Sequence, residues 1–250
     1  MSGPSFALLG SGEFEPWSEP VDRWLLARSS GDGSVLILPT ASAAEGDQVF
    51  DRWARMGEQH YASLGIPAHV VPLKTRDDAS RADLAEPLGR ASVAYFSGGN
   101  PAYLAGVLAG TAFWETLLRE MDRGLAYAGC SAGIACLGDV AADSSARSID
   151  GRLWKPGLRL FPNVSFGPHW DALDRFVPGL RAYIEASVPT ESTLLAIDER
   201  TAVMGDGAAW TVIGAGGAHV REHGEWRSIP SGQSFDAALA AKAGRSASET

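Results

Sequence analysis

The sequence lacks the features that most readily mark a metal-binding or membrane protein. Its 250 residues include only two cysteines, Cys130 and Cys136, whose spacing matches no metal-binding motif and leaves no second pair. No apolar run approaches the ~20 residues that a membrane-spanning helix needs. We therefore expect both cysteines to be buried apolar side chains, with no metal and no membrane partner.

Positive charge is also scarce. The formal net charge is −9, and 18 of the 21 basic residues are arginine. No run of basic residues occurs and none alternates with aromatic residues, which argues against a nucleic-acid partner. The first four residues lead directly into a short apolar run rather than into a signal sequence, so the expected location is the cytoplasm.

Short apolar runs alternate with stretches of helical periodicity along most of the chain. The clearest predicted strands cover residues 6–9, 35–38, 68–71, 93–96 and 194–199. Runs of this kind are typical of a mostly parallel sheet that is covered on both faces by helices. We expect one α/β domain over residues 1–250, with antiparallel strands near the C-terminus and a frayed tail at about 240–250.

Glycines follow the first predicted strand in Gly10-Ser11-Gly12-Glu13. The third glycine of a dinucleotide-binding loop is missing and no regular helix follows, which argues against nucleotide binding and predicts no cofactor. Glu13 remains a carboxylate that could line a site at the carboxyl end of this strand.

The most informative stretch runs from Leu125 to Gly138. Apolar residues lead into Gly129-Cys130-Ser131-Ala132-Gly133, which matches the G-x-S-x-G elbow between a strand and a helix. This turn exposes the Ser131 hydroxyl and aims the Ala132 amide at a developing oxyanion. A small-residue turn for packing is the alternative interpretation. Cys130 is a second candidate nucleophile, although it precedes the apex and should point into the sheet.

A serine nucleophile needs a base to take its proton and an acid to orient that base. An extended stretch over 157–166 leads to His169, the one histidine that the pattern places between a strand and a helix beside the elbow. Asp198 and Glu199 are the last two residues of the predicted strand over 194–199. Gly98-Gly99, at the end of a fourth strand, is either a tight turn or a second source of oxyanion-binding amides.

Four ordered motifs carry a family resemblance. They are Phe96-Ser97-Gly98-Gly99-Asn100, the elbow, the stretch from Gly157-Leu158 to Pro168-His169-Trp170, and Ala196-Ile197-Asp198-Glu199-Arg200-Thr201-Ala202. With these motifs the chain resembles the serine peptidase family that contains dipeptidase E and cyanophycinase. The resemblance implies a three-layer fold similar to class I glutamine amidotransferases, with no metal and no cofactor.

Carried over position by position, the resemblance implies Ser131 as the nucleophile and His169 as the general base and acid. It implies that the amides of Gly99 and Ala132 form the oxyanion hole. Enzymes similar to dipeptidase E place the third catalytic member downstream of the elbow, where Asp143 is nearest. Those similar to cyanophycinase place it at the acidic strand end, at Asp198 or Glu199, and we favour Glu199.

The resemblance also implies a substrate. Gly98, Asn100 and Arg175 are the expected substrate-binding residues, with Arg175 as the partner of a substrate carboxylate. The expected activity is hydrolysis of small peptides or isopeptides, including those with an aspartyl or β-aspartyl group. Another small amide or ester hydrolysis and a non-catalytic binding protein are the alternatives. The partner would be a small peptide, and a homodimer stays open.

Overall fold

A computed structural model describes residues 4–146, 148–150, 152–237 and 239. Its strands are β1 (Phe6–Leu9), β2 (Val35–Leu38), β3 (Ala68–Val70), β4 (Val93–Phe96), β5 (Ala126–Cys130), β6 (Val140–Ala142), β7 (Trp154–Pro156), β8 (Val164–Gly167), β9 (Thr193–Ile197), β10 (Thr201–Gly205), β11 (Ala209–Gly214), β12 (Gly217–Glu222), β13 (Glu225–Pro230) and β14 (Ser234–Asp236). Its α-helices are α1 (Glu19–Leu26), α2 (Asp47–Ser63), α3 (Ala82–Ala85), α4 (Pro101–Leu108), α5 (Ala112–Asp122), α6 (Ala132–Ala135), α7 (Leu173–Phe176) and α8 (Leu180–Ser187). The expected frayed tail at 240–250 lies outside the described residues.

The main sheet has eight strands in the order β14-β11-β10-β1-β5-β4-β2-β3. The five strands from β1 to β3 in this order are parallel, and β10, β11 and β14 extend the sheet with antiparallel pairs. The prediction of a mostly parallel sheet with antiparallel C-terminal strands is therefore confirmed. Because the carboxyl ends of parallel strands meet at one edge, β1, β4 and β5 deliver their following loops to the same place.

Successive residues of the central strands point into two different cores, one on each face of the main sheet. Phe6 and Leu8 of β1 pack with residues of α4, α5 and α6, whereas Ala7 and Leu9 pack with residues of α1 and α2. Each large apolar side chain buried in this way contributes roughly 1.5–3 kcal/mol. The helix–sheet–helix layering is the class I glutamine amidotransferase-like arrangement that was expected.

A second sheet of four strands, in the order β13-β12-β9-β8, carries the segments that face the elbow. Strands β8 and β9 are parallel, so their carboxyl ends also lie side by side. A separate two-stranded sheet joins β6 and β7. No helix in the described part of the chain has both the length and the apolar character needed to cross a membrane.

The stretch over 157–166 is less extended than its sequence predicts. Only its end, from Val164, belongs to a strand, and Arg159 and Asn163 both have positive φ. The Asp139 carboxylate stabilises this irregular path, because it accepts the Arg159 Nε–H at 2.9 Å and the Asn163 N–H at 3.0 Å. The turn therefore depends on a side chain about 20 residues away, which the local pattern does not reveal.

Candidate active site

Ser131 lies at the sharp turn between β5 and α6. Its backbone has φ 51° and ψ −105°, a conformation that a residue with a side chain adopts only when its surroundings enforce it. The Ser131 N–H donates to the Leu9 carbonyl at 3.0 Å, which ties the turn to the end of β1. The strand, turn and helix predicted for this stretch are all present.

The two glycines of the elbow are required by close backbone packing. A Cβ on Gly129 would collide with the Gly133 carbonyl oxygen, and a Cβ on Gly133 would collide with the Phe96 carbonyl oxygen. Neither obstacle is a flexible side chain that could move away. The G-x-S-x-G pattern therefore reflects the close approach of β5, α6 and β4 around the serine.

Ser131, His169 and Glu199 form a continuous chain of hydrogen bonds. The His169 Nε2 atom lies 2.8 Å from Ser131 Oγ, and His169 Nδ1 lies 2.7 Å from Glu199 Oε1. His169 follows β8 with φ 55°, and the next residue, Trp170, donates its N–H to the Ile197 carbonyl at 3.0 Å. That bond joins the ends of β8 and β9, so it holds the histidine beside the carboxylate that follows β9.

The other two carboxylates considered for the third position have different partners. Asp198 Oδ1 lies 3.1 Å from His219 Nε2, and its Oδ2 accepts the Gly217 N–H at 2.9 Å. Burial alone would raise the pKa of Asp198, but these hydrogen bonds bring the pKa below its usual value. Asp143 bonds to Asn100 and Ser145. Of the three candidates, only Glu199 contacts His169.

The Gly98-Gly99 turn lies directly beside Ser131. A Cβ placed on Gly98 would be 3.6 Å from the Ser131 Cβ, and Gly99 has φ 142°, which favours glycine. Within the described residues, the N–H groups of Gly99 and Ala132 find no acceptor. Two amides without an acceptor therefore lie near the serine, one in the loop after β4 and one at the start of α6.

Two of the expected substrate-binding residues have internal partners instead. The Gly98 N–H donates to Glu13 Oε1 at 2.8 Å, so it is not free for a ligand. Asn100, only 7% exposed, caps α4 by accepting the Tyr103 N–H at 3.1 Å, and its Nδ2 donates to Asp143 Oδ1 at 2.9 Å. The Gly98 N–H and the Asn100 side chain therefore stabilise the loop after β4 through bonds within the protein.

The third expected substrate-binding residue, Arg175, lies outside the cavity that contains the serine. Its side chain is 74% exposed and its guanidinium lies 3.9 Å from the Asp171 carboxylate, one helical turn away. Asp171 also accepts the Glu199 N–H at 2.8 Å and so supports the loop after β9. An exposed ion pair of this kind contributes little to stability, and Arg175 lies on the exposed surface of α7.

Glu13, the carboxylate that the sequence placed at the end of the first strand, is buried beside the site. It is 4% exposed, and besides the Gly98 N–H it accepts the Cys130 thiol proton, with 2.8 Å between Sγ and Oε2. Burial, and after it the charge of Glu13, raises the pKa of Cys130 well above its usual value. Cys130 is therefore a protonated, buried thiol, which argues against it as the nucleophile. The position of Glu13 at the end of β1 was the sequence feature that indicated a residue near the site, but the sequence did not indicate its partners Gly98 and Cys130.

Replacing Glu13 with alanine is expected to lower the free energy of unfolding by about 2–4 kcal/mol. The change leaves the Gly98 N–H and the Cys130 thiol buried without an acceptor and also opens a cavity. Glu13→Gln keeps an acceptor oxygen and should cost about half as much. Urea unfolding of the three proteins measures both effects, and an alanine variant as stable as the wild type would show that this carboxylate is not structurally required.

Ser131 and His169 open into a cavity of about 500 Å³. Most of the side chains that line it are apolar: Val140, Ile149, Leu153, Trp154, Phe166, Leu173, Phe176, Val177, Leu180 and Ile184. Asp143 and the serines at 144, 148 and 165 supply the polar part. The loops after β4, β5 and β8 meet here, at the edge where an open α/β sheet binds its ligand.

The fold and the hydrogen-bonded serine, histidine and glutamate define a hydrolase of the class I glutamine amidotransferase-like fold with a serine on a nucleophile elbow. The model of peptidase family S51, the family of dipeptidase E and cyanophycinase, matches residues 6–213. The chain belongs to this family and is a serine-type peptidase.

Solved structures agree with this assignment. A peptidase from an acI-B1 Actinobacterium is 29% identical, with a TM-score of 0.85, over 94% of this chain and 97% of that chain. A putative peptidase E from Listeria monocytogenes EGD-e is 19% identical, with a TM-score of 0.60, over 85% of this chain and 98% of that chain, and it supports the fold alone. No curated protein matches the sequence.

Proposed function

We propose that this serine peptidase hydrolyses small peptides through an acyl-enzyme on Ser131, with His169 as general base and acid. Glu199 would orient the imidazole. The observation that carries the proposal is the pair of hydrogen bonds at His169, 2.8 Å to Ser131 and 2.7 Å to Glu199. These distances lie in the range from which a base accepts a proton directly.

The proposed reaction begins when Ser131 Oγ attacks the substrate carbonyl carbon and transfers its proton to His169 Nε2. The free N–H groups of Gly99 and Ala132 would hold the negative oxygen of the tetrahedral intermediate. The imidazolium would then give its proton to the leaving amine as the carbon–nitrogen bond breaks. Water, deprotonated by the same histidine, would release the acyl group and restore the serine.

Glu199 has two tasks in this scheme. By accepting the Nδ1 hydrogen it selects the tautomer in which His169 Nε2 is free to take the Ser131 proton. Its negative charge also stabilises the imidazolium that forms during each proton transfer. A neutral amide would keep the position of this side chain and lose the charge, so the two contributions can be separated by substitution.

A fluorophosphonate reagent tests this proposal, because it reacts with activated serines. We expect labelling of Ser131, loss of labelling in His169→Ala, and labelling at least about 100-fold slower in Glu199→Gln, since orienting carboxylates have large effects in such triads. Mass spectrometry of the labelled peptide and the rate of labelling provide the readout.

Asp198→Asn is the matched control, because Asp198 is adjacent in sequence but bonds to His219 instead of His169. Its labelling rate should stay within about threefold of the wild type, since its carboxylate does not touch the reacting groups. Folded protein with an unlabelled Ser131 would overturn the proposed function. Equal effects of the two substitutions would overturn the assignment of Glu199.

The cavity gives less support to an aspartyl or β-aspartyl substrate, which the family resemblance implies, than to small peptides in general. The described residues that line the cavity include no lysine and no arginine to pair with a substrate carboxylate. Arg175, the expected partner, lies outside the cavity. Isopeptides and other small amides or esters would use the same steps, so a substrate panel is needed to rank them.

A further inference from the structure

The cavity beside Ser131 has an apolar wall that the proposed reaction steps do not require. Phe176 is 62% exposed although it is a large apolar side chain, and its ring lies edge-on to the His169 ring with 5.4 Å between their centres. Leu173, Leu180 and Ile184 continue the same wall. An apolar surface left open next to a nucleophile indicates that part of the substrate covers it during binding.

Asp143 is the one acidic or basic side chain, His169 apart, among the described residues that line this cavity. Its Oδ1 accepts hydrogen bonds from Ser145 Oγ at 2.6 Å, the Ser145 N–H at 3.0 Å and Asn100 Nδ2 at 2.9 Å. Its Oδ2 accepts none from the described part of the chain. The carboxylate is thus held in place while one of its oxygens stays available.

Asp143 is connected to the proposed oxyanion hole through a hydrogen bond. Asn100, which bonds to Asp143, directly follows Gly99, whose amide would hold the substrate oxygen. Hydrogen bonds from Ser145 and Asn100 lower the pKa of Asp143, and the charge of Lys155 acts in the same direction, so the group is an anion at neutral pH. In a peptide with a free N-terminus, the ammonium is separated from the first carbonyl carbon by only one atom.

We propose that the cavity binds the N-terminal residue of a small peptide, with its apolar side chain against the wall around Phe176 and its free α-ammonium paired with Asp143. This inference rests on the proposed function and adds the substrate class. The peptide would be cleaved after this first residue, so the acyl group on Ser131 would be an apolar aminoacyl group. An acidic side chain in the same place would lose its water without gaining a cation and would meet the negative Asp143.

A panel of aminoacyl-coumarin amides tests the inference. The Leu and Phe derivatives should exceed the Asp derivative in kcat/KM by about 100-fold, since a site discriminates most strongly against a group it leaves unpaired. N-acetylation of the Phe substrate should lower kcat/KM by at least about tenfold, because it removes the ammonium charge.

Two variants locate the effects. Asp143→Asn should lower kcat/KM at least about tenfold for the free Phe substrate and less than threefold for the acetylated one. The acetylated substrate has already lost the ammonium that pairs with Asp143, so removing the carboxylate as well has little further effect. Phe176→Ala should lower kcat/KM for the Phe substrate by a clearly larger factor than for the Asp substrate, because only the apolar side chain is expected to pack against this wall. Asp47→Asn is the control, because this carboxylate is 80% exposed and its partner is Lys74, which does not line the cavity.

The outcomes separate the inference from the proposed function. If Ser131 is labelled by the fluorophosphonate but the Asp substrate is preferred, or acetylation has the same effect in the wild type and Asp143→Asn, the inference fails and the peptidase function stands. If no substrate is cleaved, Phe-Leu dipeptide should still slow the labelling of Ser131, whereas acetylated Phe-Leu should not. Absence of that protection would overturn the inference, and absence of labelling would overturn both.

Discussion

Replacing Ser131 with alanine is expected to lower kcat/KM for small peptides by about 10⁴–10⁶-fold, with little change in the free energy of unfolding. The variant removes the only hydroxyl that contacts His169 among the described residues, and in serine hydrolases that use such a triad the loss of the nucleophile has effects of this size. Single-turnover assays measure the activity, and urea unfolding measures the stability. The residual rate would come from substrate binding and the two free amides.

Cys130→Ala provides the comparison for Ser131→Ala, because Cys130 is the neighbouring candidate nucleophile. Its thiol is buried, its proton is donated to Glu13, and its pKa is raised by burial and by that carboxylate. We expect kcat/KM within about tenfold of the wild type, together with a modest loss of stability, since a buried acceptor loses a partner. An active Ser131→Ala beside an inactive Cys130→Ala would assign the chemistry to the cysteine.

Gly99→Ala should lower the free energy of unfolding by about 3 kcal/mol and, in the folded fraction, kcat by about 100-fold. At φ 142° a Cβ would overlap the backbone of Ala41 and Ser42, and no rotamer can relieve a clash with backbone atoms. The turn must therefore move, which displaces the Gly99 amide from the position where it would hold the oxyanion. Thermal unfolding and kcat for one substrate measure the two effects separately.

Gly106→Ala is the matched control for this prediction. Gly106 lies within α4, only seven residues along the chain, and a Cβ there meets no atom within 4 Å. Because alanine is the better helix former, this variant should gain about 0.5–1 kcal/mol of stability with unchanged kcat. A Gly99→Ala protein with wild-type activity would show that the Gly99 amide takes no part in the reaction.

The fold was predictable from the sequence because its central strands are continuous apolar runs. In β1, β2 and β4 every residue is buried, and such runs have a place only inside a sheet covered on both faces. The elbow was predictable for a related reason. Gly129 and Gly133 are required by backbone contacts that follow directly from joining a buried strand to a packed helix.

The partners of the individual polar side chains were less predictable. Glu199 and Asp198 are adjacent in sequence, yet one contacts His169 and the other His219, because successive residues at a strand end point in different directions. Asn100 was expected to contact substrate, and it caps α4 and supports Asp143 instead. A motif identifies which residue types are present but does not specify where each atom points.

The sequence by itself determined the layered α/β fold, the serine on its elbow and the histidine that follows a strand. These features depend on local periodicity and on glycines that close backbone packing requires. Only the tertiary structure decided that Glu199 completes the hydrogen-bond chain, that Glu13 holds the Gly98-Gly99 turn, and that the cavity is largely apolar. Each of these depends on groups brought together from distant parts of the chain. Such contacts are set by the packing of the two sheets, which no local pattern encodes.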